Sequence, residues 1–104
     1  MLSFLKKLFP APVDYNAVMA RGGIIIDVRT SSEFSGGHIK GSRNLPLDQI
    51  KKEIPVLKKM NTPIITVCRS GNRSGMAKSL LAASGMEVYN GGAWNSLANK
   101  LNKS

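Results

Sequence analysis

The most reactive side chain in the sequence is Cys68, the only cysteine among 104 residues. It ends the apolar run "IITVC" and opens the stretch "CRSGNRSG". One cysteine cannot close an internal disulfide, and it has no partner for a CxxC redox pair or a zinc cluster. Thiol chemistry here is therefore single-cysteine chemistry. The thiolate is the nucleophile, and an unperturbed thiol is only about 3% ionised at neutral pH. The residues that follow suit a correction of that deficit. Gly71 lets the chain fold into a cradle whose backbone N–H groups point inward, Arg69 and Arg73 add positive charge, and a helix starting directly afterwards adds its dipole. The same cradle suits an anion. The plainer alternative is a cysteine packed inertly at a strand end. The glycine, the two arginines and the strand-to-helix position together favour a nucleophile surrounded by donors.

Such a loop needs elements to hold it. "PIITVC" and "GIIIDV" are apolar without alternation, the pattern of parallel strands covered on both faces. "DYNAVMARGG" begins with a cap residue, Asp14, and ends in glycines, which predicts a short helix. "RTSSEF" offers Thr30, Ser31 or Ser32 as a cap with Glu33 in the first turn. "GGHIKGSRNLP" reads as a glycine-rich turn with a brief edge strand. "LDQIKKEI" places Leu47, Ile50 and Ile54 on one helical face, and Pro55 is expected to end or restart that helix. The six residues from Cys68 to Arg73 are expected to lie between strand and helix, and "SGMAKSLLAASG" sets Ala77, Leu80, Leu81 and Ser84 on one face before a stop at Gly85. "MEVYNGG" reads as a short strand and turn, and "AWNSLANKL" as a last helix through Trp94, Leu97 and Leu101. Strands alternating with helices imply an α/β sandwich with a mainly parallel sheet and helices on both faces. Ligands of such sheets bind beyond the carboxyl ends of the strands, where Cys68 stands.

The chain has the size of one domain, read here as an N-terminal segment over 1–12 and a folded domain over 13–104. Fifteen Lys and Arg against six Asp and Glu give a formal charge of +9, which attracts anions without selecting one. The basic residues fall in scattered pairs and singles, with only two Tyr and three Phe, so no basic, aromatic stacking face is evident and nucleic-acid binding is not expected. "MLSFLKKLFPAP" is interrupted by two lysines and is too short to span a bilayer. It reads as a first turn packing on the domain, with membrane-surface contact as the alternative. With no convincing signal peptide, a cytoplasmic location is expected. No metal, nucleotide or flavin signature is present, so no cofactor is expected and the chemistry falls to the thiol.

"IIIDVRTSSEFSGGHIKGSRNLP", "IITVCRSGNRSG" and "YNGGAW", in that order, resemble the single-domain rhodanese-like sulfurtransferases of the thiosulfate sulfurtransferase type, over about residues 14 to 101. The resemblance implies a rhodanese-like three-layer sandwich with a five-stranded sheet. It implies that Cys68 forms a persulfide with sulfur from an anionic donor such as thiosulfate, releases sulfite, and passes the sulfur to cyanide or a thiol. It places Arg69, Ser70, Gly71, Asn72, Arg73 and Ser74 in the substrate-binding loop, and Asp27, Arg29 and Glu33 in a charged cluster that supports it. His38 matches a position used for packing rather than for base catalysis. Trp94 is expected to close the core, or to form one wall of the pocket.

Cysteine phosphatases and arsenate reductases of the same fold are the nearest rivals. Their loop holds five residues between Cys and Arg, whereas four separate Cys68 from Arg73. The shorter loop favours sulfur over a phosphoryl centre, although Arg73 still suits an oxyanion. A persulfide carrier serving a protein acceptor, or a binding module, is the other alternative.

Overall fold

The computed structural model describes residues 12–101. The expectations for the N-terminal segment therefore fall, except at Pro12, outside the described residues. In chain order the elements are α1 (Tyr15–Ala20), β1 (Ile24–Asp27), α2 (Ser31–Ser35), β2 (Arg43–Asn44), a 3-10 turn (Leu47–Gln49), α3 (Ile50–Met60), β3 (Ile64–Cys68), α4 (Asn72–Ala83), β4 (Val88–Ala93) and α5 (Trp94–Leu101). The strands pair in the order β2-β1-β3-β4, every pair parallel. None of the described helices is long and apolar enough to cross a membrane.

The unbroken apolar runs are explained by burial on both sides. Ile26, Val28, Ile64 and Cys68 face a core completed by Ile50 and Leu57 of α3 and Ala77 and Leu81 of α4. Ile25, Ile65 and Val67 face a second core with Val18 of α1 and Leu97 of α5. Helices thus cover both faces of the sheet, and all five residues of β3 are buried.

The local signals for α1 and α2 act as expected. The Asp14 carboxylate accepts from the Ala17 N–H, and Thr30 with Glu33 forms a reciprocal capping box.

Four features depart from the sequence expectations. The sheet has four strands among the described residues, not five. Residues 12–14 run from Pro12, which has no N–H for a ladder, directly into the Asp14 cap of α1. Helix α3 continues through Pro55 rather than ending there. Ile50 and Leu57 anchor it on either side of the proline, at 0% and 6% exposure, and the helical donor lost to the ring belongs opposite the carbonyl of exposed Lys51. Helix α4 begins at Asn72, so Asn72 and Arg73 lie in its first turn and not before it. The glycines of "YNGG" are part of β4 and make no turn: Thr66 pairs with Asn90 and Val67 with Gly92, leaving Gly91 as a bulge.

Candidate active site

The short distance from β3 to α4 determines the surroundings of the sulfur. Gly71, at φ +100, caps α4 in a left-handed conformation that an L side chain adopts with strain. That turn brings its N–H to 3.0 Å from Cys68 Sγ. The Ser74 N–H, in the first turn of α4 where backbone donors lack helical partners, lies 3.4 Å from the same sulfur, and Ser74 Oγ lies at 3.3 Å. Burial pushes the thiol pKa up and is the largest single influence. The hydrogen bonds of the Ser74 hydroxyl and of the Ser74, Gly71 and Ser70 N–H groups oppose it and together leave the thiol more acidic than an ordinary cysteine. Cys68 is itself buried, at 1% exposure, while Arg69, Ser70 and Asn72 are exposed.

The charged residues form two linked pairs. Asp27, at the end of β1, and Arg29 are both buried and bonded at two points, with Nε 2.9 Å from Oδ1 and Nη2 2.7 Å from Oδ2. Arg29 also donates to the carbonyls of Glu33 at 3.3 Å and Gly37 at 2.7 Å, so it ties the end of β1 to helix α2 and the turn beyond it. Its guanidinium carbon lies 4.8 Å from the centre of the Trp94 ring. Arg73 makes a two-point bond to Glu33, Nη1 to Oε1 at 2.7 Å and Nη2 to Oε2 at 3.0 Å. That partner, followed by the Thr30 N–H, holds the Glu33 carboxyl at about 2, well below the usual carboxylate range. The bond from Arg29 to the Glu33 carbonyl joins the two pairs, so Asp27, Arg29, Glu33 and Arg73 lie in one connected set.

Arg69 is different. Among the described residues it makes no hydrogen bond or ion pair, and with Arg29, Ser32, Glu33, Gly36, Gly37 and Trp94 it lines a hollow of about 240 Å³. Trp94 thus walls this hollow as well as packing against the second core. A larger hollow of about 510 Å³ lies at the opposite end of β3, around Arg21, Pro63 and Glu87, and none of the predicted site residues lines it. His38 stacks on Phe34 with ring centroids 3.7 Å apart and donates from Nδ1 to the Phe34 carbonyl at 2.8 Å.

Sequence reasoning passed over Asn90 of β4. Its Oδ1 accepts from the Ser74 hydroxyl at 2.7 Å and its Nδ2 donates to the Gly71 carbonyl at 3.1 Å. A polar residue ahead of two glycines at the end of a buried strand was the available signal.

Comparison with known proteins bears on the family and the fold. The rhodanese-like domain family matches residues 11–97. The "Uncharacterized protein YqhL" of Bacillus subtilis is 42% identical over 64% of this chain, which spans about half of that relative's length, 52%. The "Thiosulfate sulfurtransferase PspE" of Escherichia coli is 32% identical over 70% of this chain and 72% of its own. Among solved structures, "rhodanese with anions from E. coli" superposes with a TM-score of 0.65 at 29% identity, covering 70% of this chain and 88% of that one. With a matching family model over most of its length and the parallel sheet in place, the chain belongs to the rhodanese-like domain family.

Proposed function

We propose that the chain is a sulfurtransferase that takes the outer sulfur of thiosulfate, or of a persulfide donor, onto Cys68 and passes it to cyanide or a thiol. The observation that carries this reading is the set of donors around Sγ, the Gly71 N–H at 3.0 Å and the Ser74 N–H at 3.4 Å, which stabilise negative charge on sulfur. The Cys68 thiolate attacks the outer sulfur of thiosulfate. A new S–S bond forms, the old one breaks, and its electron pair leaves with sulfite. The anionic terminal sulfur of the persulfide then attacks nothing further; an acceptor thiolate or cyanide attacks it and restores the Cys68 thiolate. Arg69, exposed and without a partner carboxylate among the described residues, is the cation suited to the sulfonate end of the donor. Arg73 is occupied by Glu33 and holds the loop. The names of PspE and of the Ectopseudomonas mendocina GlpE, both thiosulfate sulfurtransferases at 32% identity, support the same chemistry.

Intact mass after incubation with thiosulfate tests it. A gain of one sulfur atom, absent in Cys68→Ser and removed by cyanide with release of thiocyanate, is expected. No adduct, together with hydrolysis of an aryl phosphate, overturns the reading in favour of a phosphatase.

A further inference from the structure

Asn90 stands on β4 opposite Thr66 of β3, and its amide is turned toward the cysteine loop. Nδ2 donates to the Gly71 carbonyl at 3.1 Å, while Oδ1 accepts from the Ser74 hydroxyl at 2.7 Å and from the Gly92 N–H at 3.0 Å. These three partners dictate which way round the amide lies. Reversed, its NH2 would meet another donor at Gly92 and its oxygen another acceptor at Gly71. Two neighbours are built around it. A Cβ at Gly75 of α4 would lie 3.2 Å from Nδ2, so the helix is without a side chain where the amide passes. The Tyr15 hydroxyl of α1 donates to the Asn90 carbonyl at 3.0 Å and fixes its backbone from the other face of the sheet.

We propose that Asn90 is the positioning residue of the cysteine loop, its amide clamping Gly71 and Ser74 together so that both present their N–H groups to Cys68 Sγ. Gly71 has no side chain of its own to fix a left-handed turn, and its carbonyl accepts both from the Gly75 N–H of α4 at 3.0 Å and from Asn90 Nδ2 at 3.1 Å, so the amide adds a second hold from β4 to the one the helix supplies. The Ser74 hydroxyl has one proton. It goes to Oδ1 while the Cys68 S–H donates to Oγ; once the sulfur is ionised the hydroxyl turns to it, the Gly92 N–H keeps Oδ1 satisfied, and the bond from Nδ2 to the Gly71 carbonyl is the part of the clamp that still acts on the donors to sulfur. The charged groups around the sulfur are Arg73 of α4 bonded to Glu33 of α2, Asp27 of β1 bonded to Arg29, and exposed Arg69. None of them hydrogen-bonds Asn90, so its replacement by alanine changes the donors to sulfur and no charge. The inference concerns the thiol that the proposed reaction uses, and not which donor loads it.

The test is the rate of Cys68 alkylation by iodoacetamide as a function of pH, on the full chain, with thermal unfolding followed in parallel. Asn90→Ala is expected to move the midpoint to higher pH and to slow alkylation at neutral pH by about threefold to tenfold, as the donors to the ionised sulfur loosen. Asn90→Asp, which sets a carboxylate oxygen against the Gly71 carbonyl, is expected to slow it further. Gly75→Ala crowds Nδ2 while keeping the asparagine, and should move the midpoint in the same direction if Asn90→Ala fails to fold. A wild-type pH profile in a folded Asn90→Ala or Gly75→Ala, or a midpoint moved to lower pH, overturns the proposal. No sulfur donor enters the measurement, so a chain that takes up no sulfur from thiosulfate still reports on Asn90.

Discussion

Arg73 and Glu33 are 40 residues apart in the chain and meet in a two-point bond, with 34% and 29% of their side chains exposed. The arginine at the end of the cysteine loop is therefore paired with helix α2, and its surroundings differ from those of Arg69, which lines the hollow beside Trp94. Arg69→Ala is expected to raise KM for thiosulfate about tenfold, the loss of one charge-assisted bond, and to leave KM for a persulfide donor without a sulfonate unchanged. Arg73→Ala is expected instead to lower kcat for both donors and to depress the melting temperature. Equal effects of Arg69→Ala on the two donors would refute the assignment of Arg69.

Glu33 makes the same contact sensitive to acid. Its folded-state pKa is about 2 against an ordinary 4.5, so the carboxylate stabilises the fold fully above the unfolded value, and that contribution is lost as pH falls from 4.5 toward 2. Glu87, held by Arg21 at about 2, titrates in the same window and must be subtracted. Melting temperature against pH, compared between wild type and Glu33→Gln, isolates the contribution of Glu33: the gap between the two should be widest above pH 5 and close on acidification. A constant gap would show that Glu33 is not linked to acid stability.

Asp27 and Arg29 are buried at 0% and 5% exposure, so removing one leaves the other's charge without compensation. Arg29→Ala is expected to cost about 3 to 5 kcal/mol in urea unfolding. It also frees the Gly37 carbonyl and takes away the cation over Trp94, so indole fluorescence of the folded variant should change. A loss below about 1 kcal/mol, the range of exposed pairs, would contradict the burial.

Gly91 occupies the bulge of β4, where a Cβ would lie 2.8 Å from Ile65 Cγ2 and 3.0 Å from Val67 Cγ1. Both neighbours are buried at 0% exposure and have nowhere to move. Gly91→Ala is expected to destabilise by about 1 to 3 kcal/mol. Gly36→Ala is the control: its backbone is right-handed, and the nearest atom to a Cβ is the Glu33 carbonyl oxygen at 3.5 Å. Chemical denaturation of the two should differ clearly, and equal midpoints would remove the steric argument.

What could be read in the sequence was what neighbours in the chain decide. The isoleucines of β1 and the run ending at Cys68 announce burial on both faces, and the Asp14 and Thr30 caps act within three residues. What could not be read depends on distant partners. Two glycines after "YN" signal a turn locally, but they lie in β4, where Gly92 pairs with Val67 of β3 and Gly91 sits as a bulge against Ile65 and Val67, which leave no room for a side chain. Pro55 signals a helix end, and α3 runs on because Ile50 and Leu57 are anchored in the core on both sides of it. Asn90 reaches Ser74 and Gly71 across 16 and 19 residues, and no spacing within β4 discloses that.

The 1% exposure of Cys68, flanked by exposed Arg69 and Ser70, also ranks the reagents that can attack it. The chain has no second cysteine to rescue an oxidised sulfur, so protection has to come from access. A thiol this recessed is expected to react faster with small or tapered molecules than with bulky disulfides. On that expectation the girth of a reagent counts before its charge.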